Sequence, residues 1–173
     1  GSNGFVAKNL IEHLKRDESI ELYLYSKKDS INILEAYLQE VDFIFHLAGV
    51  NRPKGVSEFY EGNSNLTKMI VKTLRESDKT TPILLSSSIQ AELDNDYGKS
   101  KLEAENILLD YAKESGASVY IYRLPNVFGK WCKPNYNSVV ATWCNNIATN
   151  VDIQVNDRSV ELTLVYVDDV VQS

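Results

Sequence analysis

The chain has 173 residues, 43% of them hydrophobic, and carries a net charge of −6 with an isoelectric point near 5.0. That length suits one domain able to bury a core without metals or disulfides, and acidity with no offsetting basic stretch argues against a nucleic-acid partner. Cys132 and Cys144 are too few and too far apart for a C-x-x-C element, so they are expected as buried free thiols in a reducing compartment. With no apolar run of about 18 residues and no signal-like start, neither membrane nor export is expected, and the cytoplasm is the default.

The opening "GSNGFVAKNL" sets two glycines before an apolar run, the pattern of a phosphate-binding turn leading into a helix. Val6, Leu10 and Leu14 recur every four positions and predict an amphipathic helix. "IELYLYSKK" reads as a strand, and Ile31, Leu34 and Leu38 mark a second short helix. "VDFIFHLAGV" is apolar without alternation, as expected of a central parallel strand. Phe59, Leu66, Ile70 and Leu74 hold helical spacing, and "PILLSSS" follows as a strand with proline at its first position. "YGKSKLEAENILLDYAKESG" is a helix stopping at Gly116, "SVYIYRL" a strand, "NSVVATWCNNIAT" a helix, and "ELTLVYV" a last strand ending on Asp168.

This alternation predicts an α/β, Rossmann-like doubly wound fold, with a mostly parallel sheet and helices on both faces. A glycine turn of this kind normally follows the first, central strand, so that N-terminal strand and a C-terminal part are expected to be missing from one clipped domain.

Chemistry concentrates in "YGKSK". Tyr97 and Lys101 stand four apart near the head of a helix and so share a face, where the ammonium can stabilise a phenolate and lower the phenol's pKa. Just upstream, "LLSSS" ends a strand where open α/β sheets place their ligands; Ser88, with Ser87 in reserve, can polarise a carbonyl beside Tyr97. His46 lies in an apolar strand with no second ligand at useful spacing, and His13 on a polar helix face; neither histidine is expected to be catalytic, and no metal site is expected.

G-x-x-G-F at 1–5, "HLAG" at 46–49, the serine strand, Tyr97 with Lys101, "RLPNVFG" at 123–129 and "VDD" at 167–169 fall in the order found in extended short-chain dehydrogenases/reductases, the NAD-dependent epimerase/dehydratase family acting on nucleotide sugars. The resemblance covers the whole chain. "HLAGVNRP", "ILLSSSIQA", "GKWCKPNYNSV" and "VNDRSVELTLVYVDD" further resemble the N-terminal reductase domain of the CapF-type capsular polysaccharide enzymes, whose C-terminal cupin domain is absent from this sequence.

That resemblance implies reduction of the C4 ketone of a UDP-linked 2-acetamido-2,6-dideoxy-hexos-4-ulose, toward N-acetyl-L-fucosamine. Tyr97 would donate the proton, Lys101 would tune it and bind the nicotinamide ribose, and Ser88 would polarise the ketone. Gly1, Asn3, Gly4, Phe5 and Val6 would receive the pyrophosphate, and Leu47, Ala48 and Gly49 would line the adenosine side. Ser86, Leu124 and Pro125 complete the implied cofactor set. Asn51, Arg52, Asn126, Lys133, Asn137 and Arg158 would face the UDP-sugar, and the intact parent is expected as a homodimer.

The sequence departs from the family pattern at Ala7, where a third glycine is usual, and in the gap of nine positions from Ser88 to Tyr97, which demands a compact loop. Ser26, Lys27 and Lys28 after "LYLY", with Asp29 one step late, favour NADP over NAD. The alternatives are a nucleotide-sugar epimerase or dehydratase and, in another class, a non-catalytic cofactor-sensing module. "SSSIQ" carries no acidic residue to support dehydration, and retention of Tyr97 and Lys101 speaks against a sensor.

Overall fold

The computed structural model describes all of residues 1–173. The chain forms two compact units, one of residues 1–4 and 21–123, the other of residues 5–20 and 124–173. The first holds α2 (Ile31–Glu40), β1 (Ile44–His46), α3 (Ser57–Tyr60), α4 (Leu66–Glu76), β2 (Ile83–Ser88), α5 (Asp96–Ser115) and β3 (Val119–Leu124). Its sheet has the order β1-β2-β3. β1 runs parallel to β2 in the register Ile44↔Ile83 to His46↔Leu85, as the apolar runs predict. The last residue of β3 is counted with the second unit.

The core of this unit is built by Leu34 and Leu38 of α2, Ile70, Val71 and Leu74 of α4, Ile83 and Leu85 of β2, and Ala104, Leu108 and Tyr111 of α5. Apolar residues three and four apart on each helix give it one buried stripe, which closes over the sheet. α5 starts where Asn95 accepts the Gly98 N–H at 2.8 Å. It stops at Gly116, whose left-handed φ of 76° no β-carbon penalises.

Two expected elements differ. Residues 20–25 form no strand. A strand exists only where its backbone finds a ladder, and here the Tyr25 carbonyl instead accepts the nitrogens of Gly1 and Ser2 at 2.8 and 3.0 Å. The helix expected from Phe59 to Leu74 is broken by a π-helical turn, Glu61–Asn65, which carries the buried Asn63 and Ser64. Such turns often mark functional positions.

In the second unit α1 (Phe5–Leu14), β4 (Asn126–Phe128), α6 (Val139–Ala148), β5 (Leu164–Tyr166) and α7 (Val167–Gln172) follow one another. β4 and β5 pair in parallel, Asn126↔Leu164 to Phe128↔Tyr166. The last strand is thus shorter than expected, because α7 already begins at Val167, with Asp168 and Asp169 in its first turn, where the helix dipole favours carboxylates. On α1 the buried positions are Ala7 and Asn9 rather than Val6, Leu10 and Leu14, which are only half-covered. The Asn9 amide is satisfied by the carbonyls of Phe5 and Lys130, each at 2.9 Å. Both cysteines are free, but Cys144 is exposed and Cys132 half-buried, contrary to the expectation of two buried thiols. No helix is long and apolar enough to cross a membrane.

Gly98 tests the packing of α5. Alanine is normally favoured over glycine inside a helix by about 1 kcal/mol. A β-carbon at Gly98, however, would lie 2.7 Å from the Leu93 carbonyl oxygen and still closer to that of Gln90. Gly98→Ala is therefore expected to destabilise by about 1–3 kcal/mol, read as a lowered urea midpoint. A raised midpoint would show that the turn yields.

Candidate active site

The first unit holds most of the predicted residues. It starts in the glycine turn, where Gly4 N–H donates to the Gly1 carbonyl at 2.9 Å. A β-carbon at Gly1 would lie 2.5 Å from the Ala48 nitrogen and 2.8 Å from the Leu47 carbonyl carbon, so only glycine allows this turn to rest on the end of β1.

Beyond Ala48, a β-carbon at Gly49 would come 3.0 Å from Asn63 Oδ1 and 3.5 Å from Lys101 Nζ. Asn63 is 2% exposed. Its Oδ1 accepts Val50 N–H at 2.9 Å, and its amide donates to the Val50 carbonyl at 3.1 Å and Ser100 Oγ at 2.8 Å. It thereby fixes the loop after β1, which continues into the exposed Asn51 and Arg52. The sequence reading missed Asn63, although a polar residue at the apolar phase set by Phe59 and Ile70 was the available signal.

Lys101 is buried, and its Nζ donates to the Ser86 carbonyl at 2.6 Å. Burial pulls its pKa down to about 8, against which Glu105 acts to raise it. The short path from Ser88 to Tyr97 is compact, as the nine-position gap requires. Ser88 Oγ accepts Gln90 N–H at 3.2 Å to start a 3₁₀ turn, Ile89–Glu92, and Leu93 N–H then bonds the Gln90 carbonyl at 2.9 Å.

The turn leaves the Ser88 hydroxyl near enough to the half-buried Tyr97 to act on its phenol, while Ser87 is engaged by Glu105. Of the two candidate serines, Ser88 is therefore the one beside the phenol. The Tyr97 ring packs against Phe59 with centroids 5.6 Å apart.

The expected depression of the Tyr97 pKa is not found. Burial pushes the phenol up and outweighs the downward pull of Ser88. The Lys101 ammonium donates to the Ser86 carbonyl, although the helical spacing of four puts it on the same face as Tyr97.

His46 is buried, with Nε2 2.8 Å from Thr67 Oγ1. That hydroxyl spends its proton on the Asn63 carbonyl, so His46 donates from Nε2, and burial keeps the ring neutral. It lies in the core at the end of β1, as the apolar run predicts. Next to the glycine turn, which rests on the Tyr25 carbonyl, Asp29 Oδ2 accepts the Ser26 N–H at 2.7 Å and its hydroxyl at 2.9 Å, which holds the carboxyl below its usual range. Lys27 and Lys28 are exposed.

The remaining predicted residues fall in the second unit. Phe5 and Val6 open α1, and Leu124 and Pro125 are half-buried. Asn126 starts β4 and is exposed, its N–H on the Thr163 carbonyl at 3.2 Å. Lys133, Asn137 and Arg158 are exposed; Arg158 lies in the turn where Asp157 accepts the Ser159 N–H at 2.8 Å.

The sequence pattern of the NAD dependent epimerase/dehydratase family matches residues 1–173. The chain belongs to this family. It is 51% identical, over its full length and 46% of the other protein, to a UDP-2-acetamido-2,6-beta-L-arabino-hexul-4-ose reductase of Pseudomonas aeruginosa. The crystal structure of the capsular polysaccharide assembling protein CapF from Staphylococcus aureus is 53% identical, with a TM-score of 0.87 over 99% of this chain and 47% of that one. The CapF-type resemblance is thereby met. The chain spans under half the length of both relatives. A UDP-N-acetylglucosamine 4-epimerase from Bacillus cereus, 22% identical, has a TM-score of 0.81 over 99% of this chain and 67% of that one, and shares the fold.

In this epimerase/dehydratase domain the buried His46 makes acid stability measurable. Burial, with Lys101 adding to it, lowers its pKa to about 3, below the ordinary 6.5. The unfolded chain therefore takes up this proton first, so the contribution is complete above pH 6.5 and is lost as pH falls toward 3. It amounts to roughly 4–5 kcal/mol. His46→Gln keeps an N–H for Thr67 and is expected to flatten the acid limb of the stability curve by that amount. Equal acid slopes in the two proteins would contradict the assignment.

Proposed function

We propose that the protein is an NADPH-dependent reductase of the C4 ketone of a UDP-linked 2-acetamido-2,6-dideoxy-hexos-4-ulose, in the making of a surface polysaccharide precursor. The observation that carries this reading is the Ser88 hydroxyl acting on the half-buried Tyr97 phenol, with the buried Lys101 ammonium one helical turn along α5. The name of the Pseudomonas relative, a reductase of a UDP-linked 4-ulose, supports the substrate class. Assignment of residues 1–173 as the reductase domain beside a cupin domain, and of the intact parent as a homodimer, belongs to the same proposal.

Two features suit a dinucleotide. The first is a cradle at Gly1 that a β-carbon would fill. The second is a lysine ammonium with three N–H donors, one of which goes to Ser86. Gly1, Asn3, Gly4, Phe5 and Val6 would receive the diphosphate, Leu47, Ala48, Gly49 and Ser86 would line the nucleoside path, and Leu124 and Pro125 complete the set. Lys27 and Lys28 would take a 2′-phosphate. Asp29, the acid that would hold a ribose hydroxyl in an NAD enzyme, is already bonded to Ser26, which supports NADP over NAD.

When bound, NADPH supplies the hydride. The chain's own residues then do the rest. Ser88 donates a hydrogen bond to the C4 oxygen and holds it beside the phenol. Tyr97 transfers its proton to that oxygen as negative charge builds there, and Lys101 holds a positive charge that stabilises the phenolate left behind. A phenol raised by burial is protonated at neutral pH and so begins as the acid. Asn51, Arg52, Asn126, Lys133, Asn137 and Arg158 would bind the UDP-sugar, the arginines by bidentate pairing to phosphate.

The rival in this family is an epimerase, which returns its hydride to the sugar and consumes no cofactor. The discriminating assay is NADPH oxidation with a UDP-4-keto-6-deoxy-N-acetylhexosamine. Stoichiometric oxidation is expected, with Tyr97→Phe reducing kcat by about 10²–10⁴-fold. Isomerised sugar with NADPH untouched would replace the reductase with an epimerase. For the cofactor, Lys27→Glu with Lys28→Glu is expected to raise KM for NADPH at least tenfold and leave that for NADH within twofold. Equal effects on both would remove the lysines from the phosphate site.

A further inference from the structure

Glu105 is 2% exposed and lies one helical turn after Lys101 on α5. Burying a carboxylate is costly unless it is paired and hydrogen-bonded, and here every partner leads toward the site. Oε1 accepts the Ser87 hydroxyl from β2. Arg123 of β3 forks onto it, Nε to Oε1 at 3.1 Å and to Oε2 at 3.2 Å, Nη2 to Oε2 at 2.7 Å. The same guanidinium uses Nη1 to reach Glu92 at 2.8 Å, in the 3₁₀ turn that follows Ser88.

Ser87 sits between the two serines that matter to the proposed reaction. The Ser86 carbonyl holds the Lys101 ammonium, and Ser88 acts on the Tyr97 phenol. Fixing the Ser87 side chain therefore fixes the strand end from which both contacts are made.

We propose that Glu105 is a positioning residue that locks β2, β3 and the turn after Ser88 onto the Tyr97 helix and keeps the Lys101 ammonium charged in its buried place. The inference rests on the reductase reading for its consequence in turnover, but its geometry does not.

The groups around Lys101 give the electrostatic half of the argument. On α5 these are Tyr97, a neutral phenol, and Glu105, the one opposite charge that acts on Lys101. From β1 comes His46, which is neutral. Arg123 and Glu92 stand behind Glu105. Desolvation favours loss of the Lys101 proton, and Glu105 opposes it.

The test titrates Lys101 by NMR of its ¹⁵N-labelled side chain in the wild type and in Glu105→Gln, with kcat/KM against pH alongside. In Glu105→Gln the Lys101 midpoint and the alkaline limb of kcat/KM are both expected to fall by about one pH unit. Glu105→Asp, which keeps the charge, should restore both. An activity loss at all pH values, with the midpoint unmoved, would reduce Glu105 to a structural role and overturn the proposal. Should Glu105→Gln not fold, Arg123→Gln leaves the carboxylate less neutralised, so the midpoint should rise; an unmoved or lowered midpoint would overturn the proposal equally. A wild type that oxidises no NADPH refutes the reductase reading while the NMR titration still reports on Glu105.

Discussion

The site depends on a lysine ammonium placed where water does not reach it. Lys101 is buried against the strand ends, and its charge is tolerated because the Ser86 carbonyl accepts from it at 2.6 Å while Glu105 stands one turn away. An ammonium bound by solvent would stabilise a phenolate weakly. One held in a region of low dielectric acts strongly on whatever negative charge forms beside it.

The surrounding fold serves that placement. β1 and β2 run parallel, so the loop after His46 and the serines of β2 emerge at the same end of the sheet. Glycine at position 1 allows the opening turn to sit on Leu47 and Ala48, and Gly98 allows the head of α5 to sit on the turn after Ser88. Asn63, His46 and Thr67 satisfy one another and the backbone beneath the site, so the buried polar groups there carry no unpaired side-chain atom.

Much of this was legible in the sequence because it is written in short-range patterns. α5 announces itself by strong helix formers and its Gly116 stop, β2 by an apolar run after proline, and Tyr97 with Lys101 by their spacing. What depends on long-range pairing was not legible. Residues 20–25 have the composition of a strand, but composition supplies no ladder partner. The π-helical turn at Glu61–Asn65 leaves no mark in a 3.6-residue period. The raised phenol of Tyr97 follows from burial, which spacing does not reveal. Glu105 did leave a trace, since it shares a stripe with Ala104, Leu108 and Tyr111 where an unpaired charge has no place, yet its partner Arg123 lies on another element.

The central claim, that this buried ammonium, phenol and hydroxyl serve a net hydride transfer to a nucleotide sugar, is tested most directly by following the hydrogen itself. The UDP-4-keto sugar would be incubated with NADPH deuterated at the transferring position of C4, and the product sugar analysed by mass and by NMR. The account requires one deuterium at C4 of the sugar for each NADPH oxidised. A product altered in configuration but free of deuterium, with the cofactor unconsumed, would contradict it.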